Sequence, residues 1–124
     1  KNLDYAHGTG HGVGYFLNVH EGPQSITKIN KVKIKEGMIL SNEPGYYLKN
    51  KFGIRIENLV YVKKVKNKIF FENLTMAPIE KDLINHRLLT SFEKNYLFRY
   101  HLNVYFKISK YLNVQEKKWL ASFI

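Results

Sequence analysis

Hydrophobic and polar positions alternate with two different periods along this chain. From Gly53 to Val62, Ile54, Ile56, Asn58, Val60 and Val62 alternate with Arg55, Glu57, Leu59 and Tyr61. A period of two predicts one strand, with Arg55 and Glu57 on the same face. The basic run Lys63-Lys64-Val65-Lys66-Asn67-Lys68 reads as the polar tip of a hairpin, and Lys68 to Asn73 as its returning strand. Upstream, Gly37 to Glu43 reads as a strand stopped by the breaker pair Pro44-Gly45. Beyond Pro78 the period changes: Phe92, Tyr96, Tyr100, Val104, Ile108 and Leu112 recur every four residues, with Leu97 and Tyr111 widening the stripe. This predicts a long helix near 90–112. Thr90-Ser91-Phe92-Glu93 has the form of a capping box with Thr90 as N-cap, and Asn113 with Glu116 starts a short final helix near 114–123.

Composition reinforces the division. All eight glycines and all three prolines lie in residues 1–78, and none lies in 79–124. The expected class is α+β: a curved, mostly antiparallel sheet region over residues 5–78, followed by a helical appendage. The length of 124 residues suits one domain with a core of its own, and 44% hydrophobic residues excludes wholesale disorder. No apolar run reaches the roughly 18–20 residues of a membrane span. The absence of cysteine removes disulfide scaffolds and thiolate metal sites. The net charge of +10 suggests nucleic acid, but 17 of the 20 basic residues are lysine and three are arginine (Arg55, Arg87, Arg99). Bidentate phosphate and base recognition depends on arginine, so the charge reads as a solvated surface and no nucleic-acid partner is expected. The chain opens on Lys1 rather than Met, which suggests a longer polypeptide or a removed segment.

Candidate chemistry gathers in the first part. His7, His11 and His20 lie in one stretch with glycines at 8, 10, 12 and 14. A helix there would lose roughly 3–4 kcal/mol relative to alanine, so an extended or looped segment closely approached by other groups is expected. Glu43 stands just before Pro44, and Glu57 stands in an otherwise apolar run read as mid-strand. A glutamate in a sheet is costly unless paired or metal-bound. Two readings follow: a structural one, with Glu57 paired to Arg55 or simply exposed on an outer face, or a divalent ion held by imidazole and carboxylates. That donor set suits manganese, zinc, iron or cobalt better than calcium.

Three separated motifs, His7 to Pro23, Glu43-Pro44-Gly45-Tyr46-Tyr47 and Phe52-Gly53-Ile54-Arg55-Ile56-Glu57-Asn58, resemble the C-terminal half of a pita-bread (creatinase-fold) metallopeptidase. Within that fold they are most similar to the Xaa-Pro aminopeptidase (aminopeptidase P) family, and Asn18-Val19-His20-Glu21-Gly22-Pro23 resembles its cytosolic type. The tail, through Leu89-Thr90, Tyr100-His101 and Trp119-Leu120, resembles that type's C-terminal extension. Prolidase and methionine aminopeptidase, other members of the fold, fit the Gly53-to-Asn58 wording and the tail less well. The resemblance implies residues 1–78 as the C-terminal part of a catalytic domain and 79–124 as a helical extension.

The resemblance further implies His11 as a metal ligand, Glu43 as a second ligand and general base, and Glu57 as a carboxylate bridging two ions. It implies His7 and His20 as residues that line the substrate and position the reacting groups, with Arg55 beside the centre. The expected activity is removal of the N-terminal residue from peptides with proline in second position, in the cytoplasm, with manganese as the metal and zinc or cobalt as alternatives. A homodimer and the remaining N-terminal part of the enzyme are the implied partners, with no membrane. The family uses five metal ligands, two of them aspartates upstream of the histidine motif. This chain has two aspartates, Asp4 and Asp82, neither in that context. The chain alone is therefore expected to be catalytically incomplete, and a non-catalytic module on the same fold is the second reading.

Overall fold

The computed structural model describes residues 4–16 and 18–124. It divides into two compact units, Lys1–Thr75 and Met76–Ile124. Among the described residues the first contains seven strands: β1 (Gly10–His11), β2 (Ser25–Ile26), β3 (Ile39–Asn42), β4 (Gly45–Leu48), β5 (Phe52–Arg55), β6 (Asn58–Val65) and β7 (Lys68–Asn73). The second contains the helices α1 (Ser91–Ile108) and α2 (Val114–Ala121), with 3-10 turns at Lys81–Leu83, His86–Leu88 and Ser109–Tyr111.

All pairing is antiparallel, but it falls into three ladders rather than one continuous sheet: β1-β2, β3-β6-β7 and β4-β5. The returning strand spans Lys68–Asn73 as its pattern predicts, and the turn tightens to Lys66–Asn67, where Lys66 takes a left-handed φ of 56°. The single strand expected over 53–62 is in fact two. β5 ends at Arg55, which pairs with Gly45, and β6 begins at Asn58, which pairs with Asn42. Ile56 and Glu57 form the crossing from one ladder to the other, alongside Glu43 and Pro44 on the neighbouring segment. Pro44 has no N–H for a ladder, and its carbonyl accepts the Ile56 N–H at 3.4 Å. Glu57 is thus exposed in a break, not mid-strand, and the expectation that it shares a strand face with Arg55 does not hold. Both acidic candidates lie where the chain changes ladders.

The core of this unit is small: Leu40, Val60 and Val62 are buried, with Ile26, Ile34 and Met38 packed against them. Each fully buried aliphatic contributes about 1.5–3 kcal/mol.

In the second unit, local signals fix the helix starts. Thr90 and Asn113 both form complete capping boxes, with Glu93 and Glu116 respectively. The buried face of α1 is Tyr100, His101 and Val104, which pack with Leu120 of α2 and with Ile79, Ile108 and Leu112. Phe92 and Tyr96, the first two residues of the predicted stripe, are exposed. A spacing of four overshoots a 3.6-residue turn by about 40° per step, so a strict four-residue row winds off the buried face.

Candidate metal centre

The glycine-rich segment is laid along β3 by hydrogen bonds from Val13 N–H to the Ile39 carbonyl (3.1 Å) and from Glu43 N–H to the Thr9 carbonyl (2.7 Å), with a bridge between Gly12 and Leu40. Gly10 permits this approach, because a Cβ there would fall on the Ser41 carbonyl oxygen. The result is a cavity of about 430 Å³ lined by His7, His11, His20, Glu43 and Arg55 together with small residues of the glycine segment and β2. Five of the six residues singled out from the sequence therefore face one space. Glu57 is not part of that lining.

Two histidines are held in the same way. His7 Nδ1 lies 2.7 Å from the Gly8 carbonyl, and His11 Nδ1 lies 2.9 Å from the Gly12 carbonyl. A carbonyl only accepts, so each Nδ1 carries a proton, and the tautomer this selects has its lone pair at Nε2. For His11 that nitrogen faces Glu43 Oε1 at 3.4 Å, with the Glu43 side chain 12% exposed. In that tautomer the imidazole nitrogen and the carboxylate oxygen are both acceptors, an arrangement that a shared cation satisfies. Two donors each about 2.1 Å from one ion stand about 3.4 Å apart at a near-tetrahedral angle. The pair therefore fits two adjacent ligand positions of a divalent ion in chemistry and spacing. Among the described residues, no three His, Cys, Asp or Glu side chains come together as a site for an ion. The expected trio of His11, Glu43 and Glu57 is assembled only as the first two.

The remaining groups form a polar chain beside the pair. Arg55 Nη1 lies 3.4 Å from Glu43 Oε2, and Arg55 Nε donates to the Tyr47 hydroxyl at 2.9 Å. That hydroxyl lies 2.8 Å from His7 Nε2. The Tyr47 hydrogen bond holds the Arg55 guanidinium above its ordinary value, with the charges of Glu43 and Glu57 adding to the effect, so the group stays cationic. The His20 ring lies against His11, with centroids 4.1 Å apart. Asp4 is held by Lys28 at 2.6 Å on the surface.

Two residues of this environment carry no role in the sequence reading: Tyr47 and the fully buried Ser41, whose hydroxyl donates to Glu43 Oε1 at 2.8 Å. A signal existed for Ser41. Period two along β3 puts it on the face of Glu43, and a hydroxyl in an apolar strand needs a partner. Tyr47 lies within a quoted motif, but its contact depends on the β4-β5 pairing, which the single-strand reading of 53–62 obscured.

Residues 1–64 match the model of metallopeptidase family M24, and residues 67–122 match that of the C-terminal region of peptidase_M24. The chain is 48% identical over 131 residues to a protein of Laccaria bicolor described as a probable Xaa-Pro aminopeptidase P, covering 95% of this chain and 20% of that protein. A protein of Pyrenophora teres f. teres with the same description is 48% identical over 124 residues, covering 91% and 19%. The crystal structure of X-prolyl aminopeptidase from Caenorhabditis elegans, described as a cytosolic enzyme with a di-nuclear active site, superposes with a TM-score of 0.89 at 39% identity, covering 98% of this chain and 22% of that one. The fold is that of the matching part of this pita-bread structure. The chain spans about a fifth of the length of the curated relatives it matches.

Proposed function

The chain belongs to metallopeptidase family M24, and from that membership we propose that it supplies the histidine-glutamate side of the metal centre of an Xaa-Pro aminopeptidase. The substrates are peptides with proline in second position, from which the N-terminal residue is removed, in the cytoplasm as for the C. elegans relative. His11, Glu43 and Glu57 are the ligands this chain contributes, and manganese is the metal. Residues 1–78 form part of the catalytic domain and 79–124 its helical extension. The observation that carries the reading is the facing pair of His11 Nε2 and Glu43 Oε1 in a cavity also lined by His7, His20 and Arg55.

Divalent ions would supply Lewis acidity there, activating water as nucleophile and the scissile carbonyl as electrophile. The chain's own residues do the rest. The Gly12 carbonyl fixes the His11 tautomer so that Nε2 stays available. Glu43 accepts the proton that the attacking water gives up. Arg55, Tyr47 and His7, joined by hydrogen bonds, orient the substrate's polar groups beside that carboxylate. His20, whose ring lies tilted against His11, borders the same space. The ligand set is completed by aspartates from further polypeptide of this family, since Asp4 is committed to Lys28 on the surface. Peptide, that further polypeptide and a second copy of the enzyme are the partners.

A chimera tests the proposal: this chain replaces the matching stretch of the Laccaria bicolor relative. The chimera is expected to cleave Xaa-Pro peptides with manganese, the isolated chain to show no turnover, and Glu43→Gln in the chimera to lose about a thousandfold or more, the range of a lost general base. A folded, manganese-loaded chimera without turnover overturns the proposal. That result favours a second reading, a non-catalytic module on this fold, for which the absence of a three-ligand group among the described residues is the supporting observation.

A further inference from the structure

We infer that Ser41 is a positioning residue that couples the two metal-facing side chains, His11 and Glu43, through one buried hydroxyl. The inference rests on the metal reading above and goes beyond it by assigning the group that sets the geometry. The glycine segment and β3 run antiparallel in a register that places Val13 opposite Ile39, His11 opposite Ser41 and Thr9 opposite Glu43. The outer two rungs are backbone-to-backbone bonds, from Val13 N–H to the Ile39 carbonyl and from Glu43 N–H to the Thr9 carbonyl. At the middle rung the His11 N–H donates to the Ser41 hydroxyl at 2.9 Å, and that hydroxyl donates its proton to Glu43 Oε1 at 2.8 Å. A single side chain thereby ties the backbone that carries the imidazole to the carboxylate that faces it.

The oxygen chosen is what separates this from ordinary strand packing. Oε1 is the same atom that stands 3.4 Å from His11 Nε2, while Oε2 is engaged by Arg55. The Ser41 bond therefore fixes the rotation of the Glu43 carboxylate so that one lone pair of Oε1 is used and another is left towards the imidazole. Ser41 has no solvent-accessible surface and does not line the cavity, so it acts through its two neighbours and not on a substrate. Groups that orient metal ligands in this way cost about 10–100-fold in metal affinity when removed.

The test uses the full chain and Co²⁺ alone as the probe, followed by visible absorption of the bound ion. Ser41→Thr and Ser41→Val have nearly the same shape, and only the first keeps the hydroxyl. A packing role would move both alike. Ser41→Thr is expected to bind Co²⁺ within about threefold of the unsubstituted chain and Ser41→Val about tenfold more weakly, with circular dichroism unchanged. Should the branched pair fail to fold, Ser41→Ala against the unsubstituted chain reads the same loss. His11→Ala and Glu43→Gln serve as controls. Binding that requires both control side chains but is the same with and without the hydroxyl overturns this inference alone. Absent binding, or binding indifferent to the controls, overturns the metal reading and this inference with it.

Discussion

The two units of this chain are held together by different means. In Met76–Ile124 each helix start is fixed by a residue three positions away: Thr90 by Glu93 and Asn113 by Glu116. The segment before α1 is fastened onto it by the Tyr100 hydroxyl to the Ala77 carbonyl (2.7 Å) and the Ile79 N–H to His101 Nε2 (3.1 Å). In Lys1–Thr75 the β4-β5 and β6-β7 hairpins are local, but the ladders that carry the site join residues distant in sequence, as in the pairing of His11 with Ser25 and of Asn42 with Asn58. Ladders of this kind order the chain at an entropic cost that must be offset by burial, yet among the described residues only three aliphatic side chains are buried there. The accessible surface reflects the shortfall. The chain exposes 10168 Å², whereas two separate compact domains with the masses of these units would expose about 8,300 Å² together. Phe52, Ile54, Ile56, Ile69, Phe70 and Phe71, all of the first unit, are among the exposed side chains. The helical unit leaves large apolar side chains open as well, Leu88, Phe92, Phe106 and Trp119 among them, so the exposed surface belongs to both units and supports the proposal that further polypeptide packs against this chain.

Gly10→Ala should break the first unit and spare the second. The added Cβ would fall on backbone, the Ser41 carbonyl oxygen, with the carbonyl carbon 2.8 Å away, so no flexible side chain can yield. A loss of about 3 kcal/mol is expected, at the upper end of overpacking costs. Nuclear magnetic resonance would show the His11 and Val62 amides displaced while Trp119 and the other α2 signals stay in place. A variant within about 0.5 kcal/mol of the parent, the range of inert surface changes, would contradict the close packing of the glycine segment on β3.

The same contrast decides what could be read from the sequence. Both capping boxes were legible because their residues lie within one turn, and the strand at Lys68–Asn73 because its turn and alternation are local. The break at Ile56-Glu57 was not legible. Apolar alternation continues through it, and only the pairing of Arg55 with Gly45 and of Asn58 with Asn42 ends one strand and starts the next. The site follows the same rule. His11 and Glu43 stand 32 positions apart, and no spacing argument brings them to 3.4 Å. Only the likeness to a family did so, and it brought no role for Ser41 or Tyr47. His101 enters the sequence argument only through the likeness of the tail: as a single polar residue in a long helix it carries no periodic pattern, although it lies on the buried face of α1.

A pH-dependent effect of intermediate size is expected in the second unit. Burial holds the His101 imidazole below its ordinary value of 6.5, and the hydrogen bond to the Phe123 carbonyl only partly opposes this. The Ile79 N–H donates to Nε2, a contact that requires that nitrogen to be unprotonated. The adjoining cavity is lined by Lys81, His86 and Lys94 and by no carboxylate side chain. Between the lowered folded value and 6.5 the unfolded chain binds a proton that the folded chain does not. The stabilisation is thus complete above about pH 6.5 and is lost as the pH falls towards the folded value. Urea melts at pH 7.5 and 5.5, followed by helical circular dichroism, should show the unsubstituted chain losing stability relative to His101→Gln at the lower pH only. A difference between the two chains that is the same at both values would contradict the neutral, buried imidazole.

Thr90→Ala should produce the smallest change and the most local one. The Thr90 hydroxyl accepts the Glu93 N–H at 3.3 Å and donates to Glu93 Oε2 at 2.7 Å, while that carboxylate also accepts the Thr90 N–H at 2.8 Å. These bonds hold the Glu93 carboxyl below its ordinary value, the backbone N–H contributing most. Alanine removes both hydroxyl bonds and leaves the backbone one, so the reciprocal box becomes half a box. The expected cost is about 1 kcal/mol, typical of a lost N-cap. It should appear as faster amide exchange over the first turn of α1, from Ser91 to Lys94, with Val104 and Leu120 in the core unaffected. Because the bonds are confined to four consecutive residues on the surface, the first unit should not register the change at all. Altered amide shifts at His11 or Ser41 would show that the two units are not separately stabilised, and would remove the contrast on which the other two predictions rest.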